Sequence, residues 1–233
     1  PPGSASATPV SPRNTAYLAG GRGNPMFQGS APGPVLGGAD LVIVFETDVP
    51  WIPSKEGPSA TAKIVQIGED PLHARLPMRG FPSDMTITAT SLSVLEALNA
   101  ELGTYAMPHV AERRARLTER SNALHAGWRA DAEKSAASDK ITLPWLNHCL
   151  RDVIDRNAIV ISEYSFKQEY CPLERPGSLF ALSSAGGLGW GFPAALGAKL
   201  AARSRMVVSV LGDGAYMFAN PTACHYVAQM QKL

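Results

Sequence analysis

Short runs of consecutive apolar residues punctuate this chain and predict its strands. The run Leu41–Phe45 (LVIVF) has strand length and is typical of a parallel strand covered on both faces. Further runs predict strands at 62–67, 85–89, 158–161, 179–182 and 206–211. Proline and glycine residues between the first two runs (Pro50, Pro53, Gly57 and Pro58) predict an exposed loop rather than a regular element.

Helical periodicity fills much of the chain between and after these runs. Residues 91–102 form an amphipathic pattern closed by Gly103, and residues 109–137 favour a helix with one apolar stripe. Further helices are expected at 146–154, at 193–203 and over the last residues. Strands that alternate with helices predict an α/β protein with two doubly wound parallel-sheet domains.

Shifts in composition suggest where the domains begin and end. Residues 1–14 are rich in Pro, Ser, Ala and Gly and predict a flexible tail. We expect a first, Rossmann-like domain over 15–103, a connecting helix and linker over 104–140, and a second domain over 141–233. No initiator Met is present and the last residues read as a helix without a stop signal, so we expect the chain to be a fragment in which the second domain is incomplete.

Overall composition excludes several classes of partner. The chain is 45% hydrophobic and 18% charged with a formal net charge of +1, so neither nucleic acid nor a membrane is an expected partner. The sequence shows neither a signal peptide nor an apolar run of membrane-spanning length. Its three cysteines are far apart and form no CxxC pair, which favours the reducing cytoplasm.

The tripeptide Gly212-Asp213-Gly214 is the first candidate for chemistry. It follows an apolar strand and precedes a predicted helix, and open α/β sheets bind ligands at the carboxyl ends of their strands. The glycines on either side allow unusual dihedrals and a close approach of a ligand to the backbone, while Asp213 offers a hard oxygen to Mg²⁺. Taken alone, the tripeptide is equally consistent with a turn whose Asp caps the next helix.

A glycine-rich segment ahead of this tripeptide narrows the interpretation. This segment, residues 184–198, begins with Ser184-Ala185-Gly186-Gly187-Leu188-Gly189 and ends with Pro-Ala-Ala-Leu-Gly-Ala. It precedes the apolar strand that leads into Gly-Asp-Gly. Together they closely resemble the diphosphate-binding domain of thiamine diphosphate-dependent enzymes of the acetolactate synthase and benzoylformate decarboxylase kind. Residues 160–165 resemble the family's first strand and following loop, and residues 39–71 resemble its central domain.

The resemblance implies a role for particular residues. Asp213 would ligate Mg²⁺, the amides of Gly214 and Ala215 would hold the diphosphate, and Leu188 would press between the two rings of the cofactor. The carbonyl of Gly186 would accept a hydrogen bond from the aminopyrimidine, and Ser165 is a weaker phosphate candidate. The full set of candidate cofactor-binding residues is Ser165, Gly186, Gly187, Leu188, Gly212, Asp213, Gly214 and Ala215.

The resemblance also implies parts that this chain lacks. In the family a second metal ligand, an Asn, lies farther beyond the aspartate than the last residue here, and the catalytic glutamate belongs to an amino-terminal domain. We therefore assign no catalytic residue and expect no turnover by this chain alone. The implied activity is decarboxylation and carboligation of a 2-keto acid, acetolactate synthase-like, in a homodimer or homotetramer. The stretch 47–53 departs from the family's FAD-binding loop, which argues against FAD.

Two other interpretations remain open at this stage. Gly189-x-Gly191-x-x-Ala194 fits the Rossmann fingerprint, with Asp213 at the end of the next strand, which would suit an NAD-dependent dehydrogenase. The chain also fits an inactive truncated homologue, or one that serves only assembly.

Overall fold

The computed structural model describes residues 36–233, apart from residues 48, 52, 55–56, 77–79, 106–107, 164–165, 174 and 182–186. Its contacts divide the described residues into two compact units, one ending at Val110 and one running from Ala111 to Leu233. We call them the amino-terminal unit and the carboxyl-terminal unit. The predicted tail lies outside the described residues, and the predicted domain boundaries after residues 103 and 140 stay predictions.

The amino-terminal unit contains a three-stranded parallel sheet in the order β1-β2-β3. Its elements are β1 (Leu41–Phe45), β2 (Lys63–Gly68), β3 (Met85–Thr88) and helix α1 (Ser91–Leu102). Thr90 starts α1, because its hydroxyl accepts a hydrogen bond from the backbone N–H of Ser93. Trp51, from the loop after β1, is 4% exposed and packs with Val44 and Ile64. That loop therefore supplies part of the core.

The expected burial of β1 on both faces is wrong for the described residues. Val44 is 6% exposed, whereas Leu41 and Ile43 on the opposite face are 50% and 42% exposed. Successive side chains of a strand point to opposite faces. An apolar run therefore predicts that both faces are apolar, but whether a face is covered depends on elements that the run does not encode.

The carboxyl-terminal unit holds most of the long helix α2 (Val110–Ala136) and a second three-stranded parallel sheet in the order β5-β4-β6. Its other elements are α3 (Leu143–Val153), β4 (Ile159–Ser162), β5 (Leu179–Ala181), α4 (Gly191–Ala201), β6 (Val207–Val210), α5 (Asp213–Phe218) and α6 (Pro221–Gln231). Two parallel sheets with intervening helices confirm the predicted α/β class.

Strand β4 is the centre of the second sheet and is buried along its whole length. On one face Val160 packs with Phe166, Cys171 and Leu173, together with Leu150 of α3. On the other face Ile159 and Ile161 pack against Ala195 of α4 and its neighbours. Cover on both faces explains why β4 is a continuous apolar run.

Arg205 ties together the amino ends of the three strands of this sheet. Its guanidinium donates to the carbonyls of Asn157 and Ala158, at 2.6 and 3.2 Å, and to the hydroxyl of Ser178 at 2.8 Å. These contacts lie at the edge opposite to the strand ends where ligands usually bind.

None of the helices described by the structure is long and apolar enough to cross a membrane.

Candidate functional site at the carboxyl edge of the second sheet

The three strands of the carboxyl-terminal unit end at one level. Ser162, the last residue of β4, pairs with Ala181 of β5 and with Val210 of β6. The backbone N–H of Glu163 extends this pairing by donating to the carbonyl of Val210 at 2.9 Å. The residues that follow β4 and β6 are therefore brought to the same edge, which is where parallel α/β sheets bind their ligands.

Asp213 lies at this edge as the first residue of α5, which is capped by Gly212. Its carboxylate is exposed, and one oxygen, Oδ1, accepts a hydrogen bond from the backbone N–H of Gly214 at 2.9 Å. A Cβ atom placed on Gly212 or on Gly214 would meet no atom within 4 Å. An exposed carboxylate flanked by open backbone fits a magnesium ion that carries a phosphate ligand.

The two glycines beside Asp213 have ordinary backbone dihedrals, although glycine allows unusual ones. Gly212 has φ −75°, and Gly214 is not among the positive-φ glycines. What these glycines provide is space rather than a left-handed backbone. Asp213 also belongs to no cluster of three or more His, Cys, Asp or Glu side chains within the described part of the chain. The residues described here therefore supply one candidate metal ligand, Asp213.

The glycine that does need a left-handed backbone is Gly189, in the glycine-rich loop before α4. It has φ +88°, and an added Cβ would lie 2.9 Å from backbone atoms of Phe218 and Ala219. Its neighbours differ: Gly187 has open space around it, and Leu188 is 48% exposed. Two of the predicted cofactor residues, Ser165 and Gly186, lie outside the described residues.

Glu163 is the site residue that sequence reasoning missed. Its side chain is 1% exposed and accepts hydrogen bonds from the backbone N–H groups of Gly191, at 2.6 Å, and Gly189, at 3.1 Å. The signal in the sequence was an acidic residue directly after a buried apolar strand. The same contact explains why α4 begins at Gly191, two residues before its predicted start: Glu163 engages the amide of its first residue.

Two observations argue against the dinucleotide interpretation. In a Rossmann fold the fingerprint amides at the helix start bind a pyrophosphate. Here the amides of Gly189 and Gly191 are already bonded to the carboxylate of Glu163. The strand before the fingerprint should also neighbour the strand after it, but β5 and β6 are separated by β4.

Three aromatic rings connect the helices around this edge. Phe192 of α4 stacks on Tyr216 of α5, with ring centroids 5.7 Å apart, and meets the ring of His225 of α6 edge-on at 5.0 Å. The hydroxyl of Tyr216 lies 2.7 Å from Nε2 of His225. These contacts fix α5 relative to α4 and α6.

A known protein family matches the segment that contains this candidate site. Residues 162–231 match the model described as "Thiamine pyrophosphate enzyme, C-terminal TPP binding domain". Residues 162–231 are thus similar to the cofactor-binding domain of thiamine diphosphate-dependent enzymes. The match contains Glu163, the glycine-rich loop, and Asp213 with α5 and α6. The resemblance that was inferred from the glycine-rich segment and the Gly-Asp-Gly tripeptide is therefore confirmed.

Two curated proteins are similar to a part of this chain. Benzoylformate decarboxylase of Pseudomonas aeruginosa is 44% identical over 72 residues, which cover 27% of this chain and 13% of that protein. Sulfoacetaldehyde acetyltransferase of Castellaniella defragrans is 46% identical over 52 residues, or 22% of this chain and 9% of that protein. The chain thus matches only a small part of the length of either relative.

Solved structures resemble a larger part of the chain. A thiamine diphosphate-dependent 4-hydroxybenzoylformate decarboxylase of Rhodococcus jostii RHA1 matches 80% of this chain and 33% of its own, with a TM-score of 0.54 and 21% identity. A putative thiamin diphosphate-dependent enzyme of Mycobacterium smegmatis matches 87% and 37%, with a TM-score of 0.55 and 20% identity. At this identity the likeness shows the α/β fold.

Proposed function

We propose that the carboxyl-terminal unit holds the diphosphate of thiamine diphosphate through a Mg²⁺ ion ligated by Asp213, within an enzyme that decarboxylates a 2-keto acid. The observation that carries this proposal is the exposed Asp213 carboxylate at the carboxyl edge of the sheet, with open space beside Gly212 and Gly214. It lies in the segment that matches the cofactor-binding family model.

The residues around Asp213 have properties that suit a diphosphate. Asp213 offers carboxylate oxygens to the ion, and Mg²⁺ commonly combines one or two carboxylates with phosphate oxygens. The amides of Gly214 and Ala215 lie in the first turn of α5, where backbone N–H groups have no carbonyl acceptor within the helix; that of Gly214 donates to Oδ1 of Asp213. Bare backbone at Gly212 lets phosphate oxygens approach closely.

The glycine-rich loop suits the organic part of the cofactor. Leu188 is a large apolar side chain left 48% exposed, and a bound ring system would cover it. Gly187 beside it leaves room for a close approach. When bound, thiamine diphosphate supplies the electron sink that decarboxylation of a 2-keto acid requires. The residues of this chain bind and orient it, and we assign none of them to proton transfer.

The choice between a decarboxylase and a carboligase remains part of the proposal. The two curated relatives carry the names of a decarboxylase and an acetyltransferase. Loss of CO₂ from a 2-keto acid followed by protonation is a decarboxylase reaction. The same loss followed by ligation is the acetolactate synthase-like activity predicted from the sequence. A homodimer or homotetramer, a cytoplasmic location and the absence of FAD belong to the same proposal.

The test is calorimetric titration of thiamine diphosphate into the protein, with and without Mg²⁺, for the unchanged chain and for Asp213→Ala. We expect binding that requires Mg²⁺ and that weakens by about 10–100-fold or more in the variant. Loss of a residue that only hydrogen-bonds to a metal ligand already costs about 10–100-fold in metal affinity. The matched control is Asp139→Ala, which removes another exposed carboxylate. The control should bind as the unchanged protein does.

Titrations with NAD⁺ and FAD complete the experiment. Clear NAD⁺ binding without thiamine diphosphate binding would replace this proposal with the dehydrogenase. Thiamine diphosphate binding that is equally strong without Mg²⁺, or equally strong in Asp213→Ala, would show that Asp213 does not hold a metal–diphosphate group.

A further inference from the structure

The carboxylate of Glu163 is buried at the carboxyl edge of the second sheet. Glu163 is 1% exposed, and none of the described Arg, Lys or His side chains forms an ion pair with it. Burying a carboxylate is costly unless its oxygens receive hydrogen bonds. Each oxygen of Glu163 accepts one, Oε1 from Gly191 and Oε2 from Gly189.

These two donors belong to the start of α4. The first N–H groups of a helix have no intrahelical acceptor, and Trp190, at the capping position, provides no side-chain hydrogen bond. Glu163 takes that role from the end of β4, 28 positions away in sequence from Gly191. Its negative charge also lies at the positive end of the helix dipole. The carboxylate is therefore a cap supplied by the neighbouring strand.

The same contacts fix the glycine-rich loop on both sides. A Cβ on Gly191 would lie 2.9 Å from Cγ of Glu163, so this backbone lies directly against the carboxylate side chain. A Cβ on Gly189 would lie 2.9 Å from Phe218 and Ala219 at the end of α5. The loop is thus held between the end of β4 and the end of α5. Leu188, adjacent to Gly189, is placed by these contacts.

We propose that Glu163 is a positioning residue of the cofactor site: its carboxylate fixes residues 187–191, so that Leu188 is presented at the edge that carries Asp213. This inference rests on the proposed function, because it assigns the loop to the thiamine diphosphate site. Glu163 touches the loop backbone rather than the cofactor, and so it acts through the loop.

The experiment compares Glu163→Gln with the unchanged protein by three measurements: the unfolding midpoint, amide hydrogen exchange at Gly189 and Gly191, and the Kd of thiamine diphosphate with Mg²⁺. Gln keeps the size of the side chain but has only one acceptor oxygen for two N–H donors. We expect a folded variant, faster exchange at both glycines, and a Kd at least about tenfold weaker, or about 1.4 kcal/mol. Glu133→Gln, on the exposed face of α2, is the matched control and should change none of these.

The variant Gly191→Ala disturbs the contact between Gly191 and Glu163 from the loop side. It replaces Glu163→Gln in the experiment if that variant does not fold. Its Cβ would displace the carboxylate, whereas Gly187→Ala adds a Cβ in open space. We expect Gly191→Ala to weaken thiamine diphosphate binding. We expect Gly187→Ala to leave amide hydrogen exchange of the loop unchanged. Faster exchange with an unchanged Kd, or unchanged exchange in Glu163→Gln, would overturn the positioning role. No thiamine diphosphate binding by the unchanged protein would instead overturn the proposed function, and loop exchange would still report on the Glu163 contact.

Discussion

At the scale of single residues, glycines that look alike in the sequence have different roles. Gly187 and Gly189 flank Leu188, but only Gly189 has a positive φ and a Cβ position blocked by Phe218 and Ala219. Gly212 and Gly214 have ordinary backbones and open surroundings. From the sequence, Gly187, Gly212 and Gly214 are candidate cofactor-binding residues, and Gly189 is part of the dinucleotide fingerprint. Which of them are structural requirements depends on residues that are distant along the chain.

Substitution of these two glycines separates the roles. Gly189→Ala should lower the free energy of unfolding by about 2–4 kcal/mol, because it combines a strained backbone with a steric clash. Gly187→Ala should change it by less than about 1 kcal/mol. Urea unfolding of the two variants measures both values. Equal losses of stability would contradict the assigned geometry.

At the scale of elements, each strand predicted from an apolar run is present, and no bound differs from its prediction by more than one residue. The start of helix α4 differs by two residues, because a hydrogen bond to a distant partner, that of Glu163 with Gly191, decides where this helix begins. Burial was less predictable: β4 is covered on both faces, whereas β1 is not. Both strands are apolar runs, so the difference arises from which helices pack against them.

A side-chain contact between two elements should give the stability of the carboxyl-terminal unit a measurable pH dependence. The hydroxyl of Tyr170, in the turn after β4, donates to Oδ2 of Asp131 on α2 at 2.7 Å. Burial, and then this hydrogen bond, raises the pKa of Tyr170 to about 12. Because that pKa is raised in the folded state, the contribution is full below about pH 10, where an unfolded Tyr stays protonated, and is lost as pH rises through about 12.

The variant Tyr170→Phe tests this contact. It should lose about 1 kcal/mol of stability near neutral pH, the usual size of a partly exposed hydrogen bond to a charged acceptor. The difference from the unchanged protein should shrink between about pH 10 and 12. Urea unfolding across this range measures it, with Tyr226→Phe, at a residue that is 62% exposed, as the control. A difference that stays constant with pH would contradict the contact.

At the scale of the whole molecule, several large apolar side chains of the carboxyl-terminal unit are exposed on neighbouring helices. The exposed apolar side chains of α5 and α6 are Met217, Phe218, Tyr226, Val227 and Met230, at 67%, 75%, 62%, 42% and 61% exposed. Surfaces of this kind commonly mark contacts with other protein segments. The chain matches only a third of the length of the solved structures that it resembles.

We expect this 233-residue chain to self-associate, or to bind a hydrophobic dye, through the exposed apolar side chains of α6, which are Tyr226, Val227 and Met230. The double variant Val227→Thr with Met230→Gln should reduce both, because it removes exposed apolar area without touching the core. Analytical ultracentrifugation and dye fluorescence measure the effects, with Gln229→Ala on the same helix as the control. Association that does not respond to the double variant would place the contact elsewhere.

The sequence by itself determined the α/β class, the order of strands and helices, and the likeness of residues 162–231 to a thiamine diphosphate-binding domain. These depend on local apolar patterns and on motifs that lie close together in the chain. Only the tertiary structure decided which faces are covered and how the carboxyl edge is built. The buried Glu163 lies 28 positions before Gly191, and Phe218 and Ala219 close on Gly189 from another helix. Contacts of this kind depend on how the chain returns on itself in space, and local patterns do not encode that return.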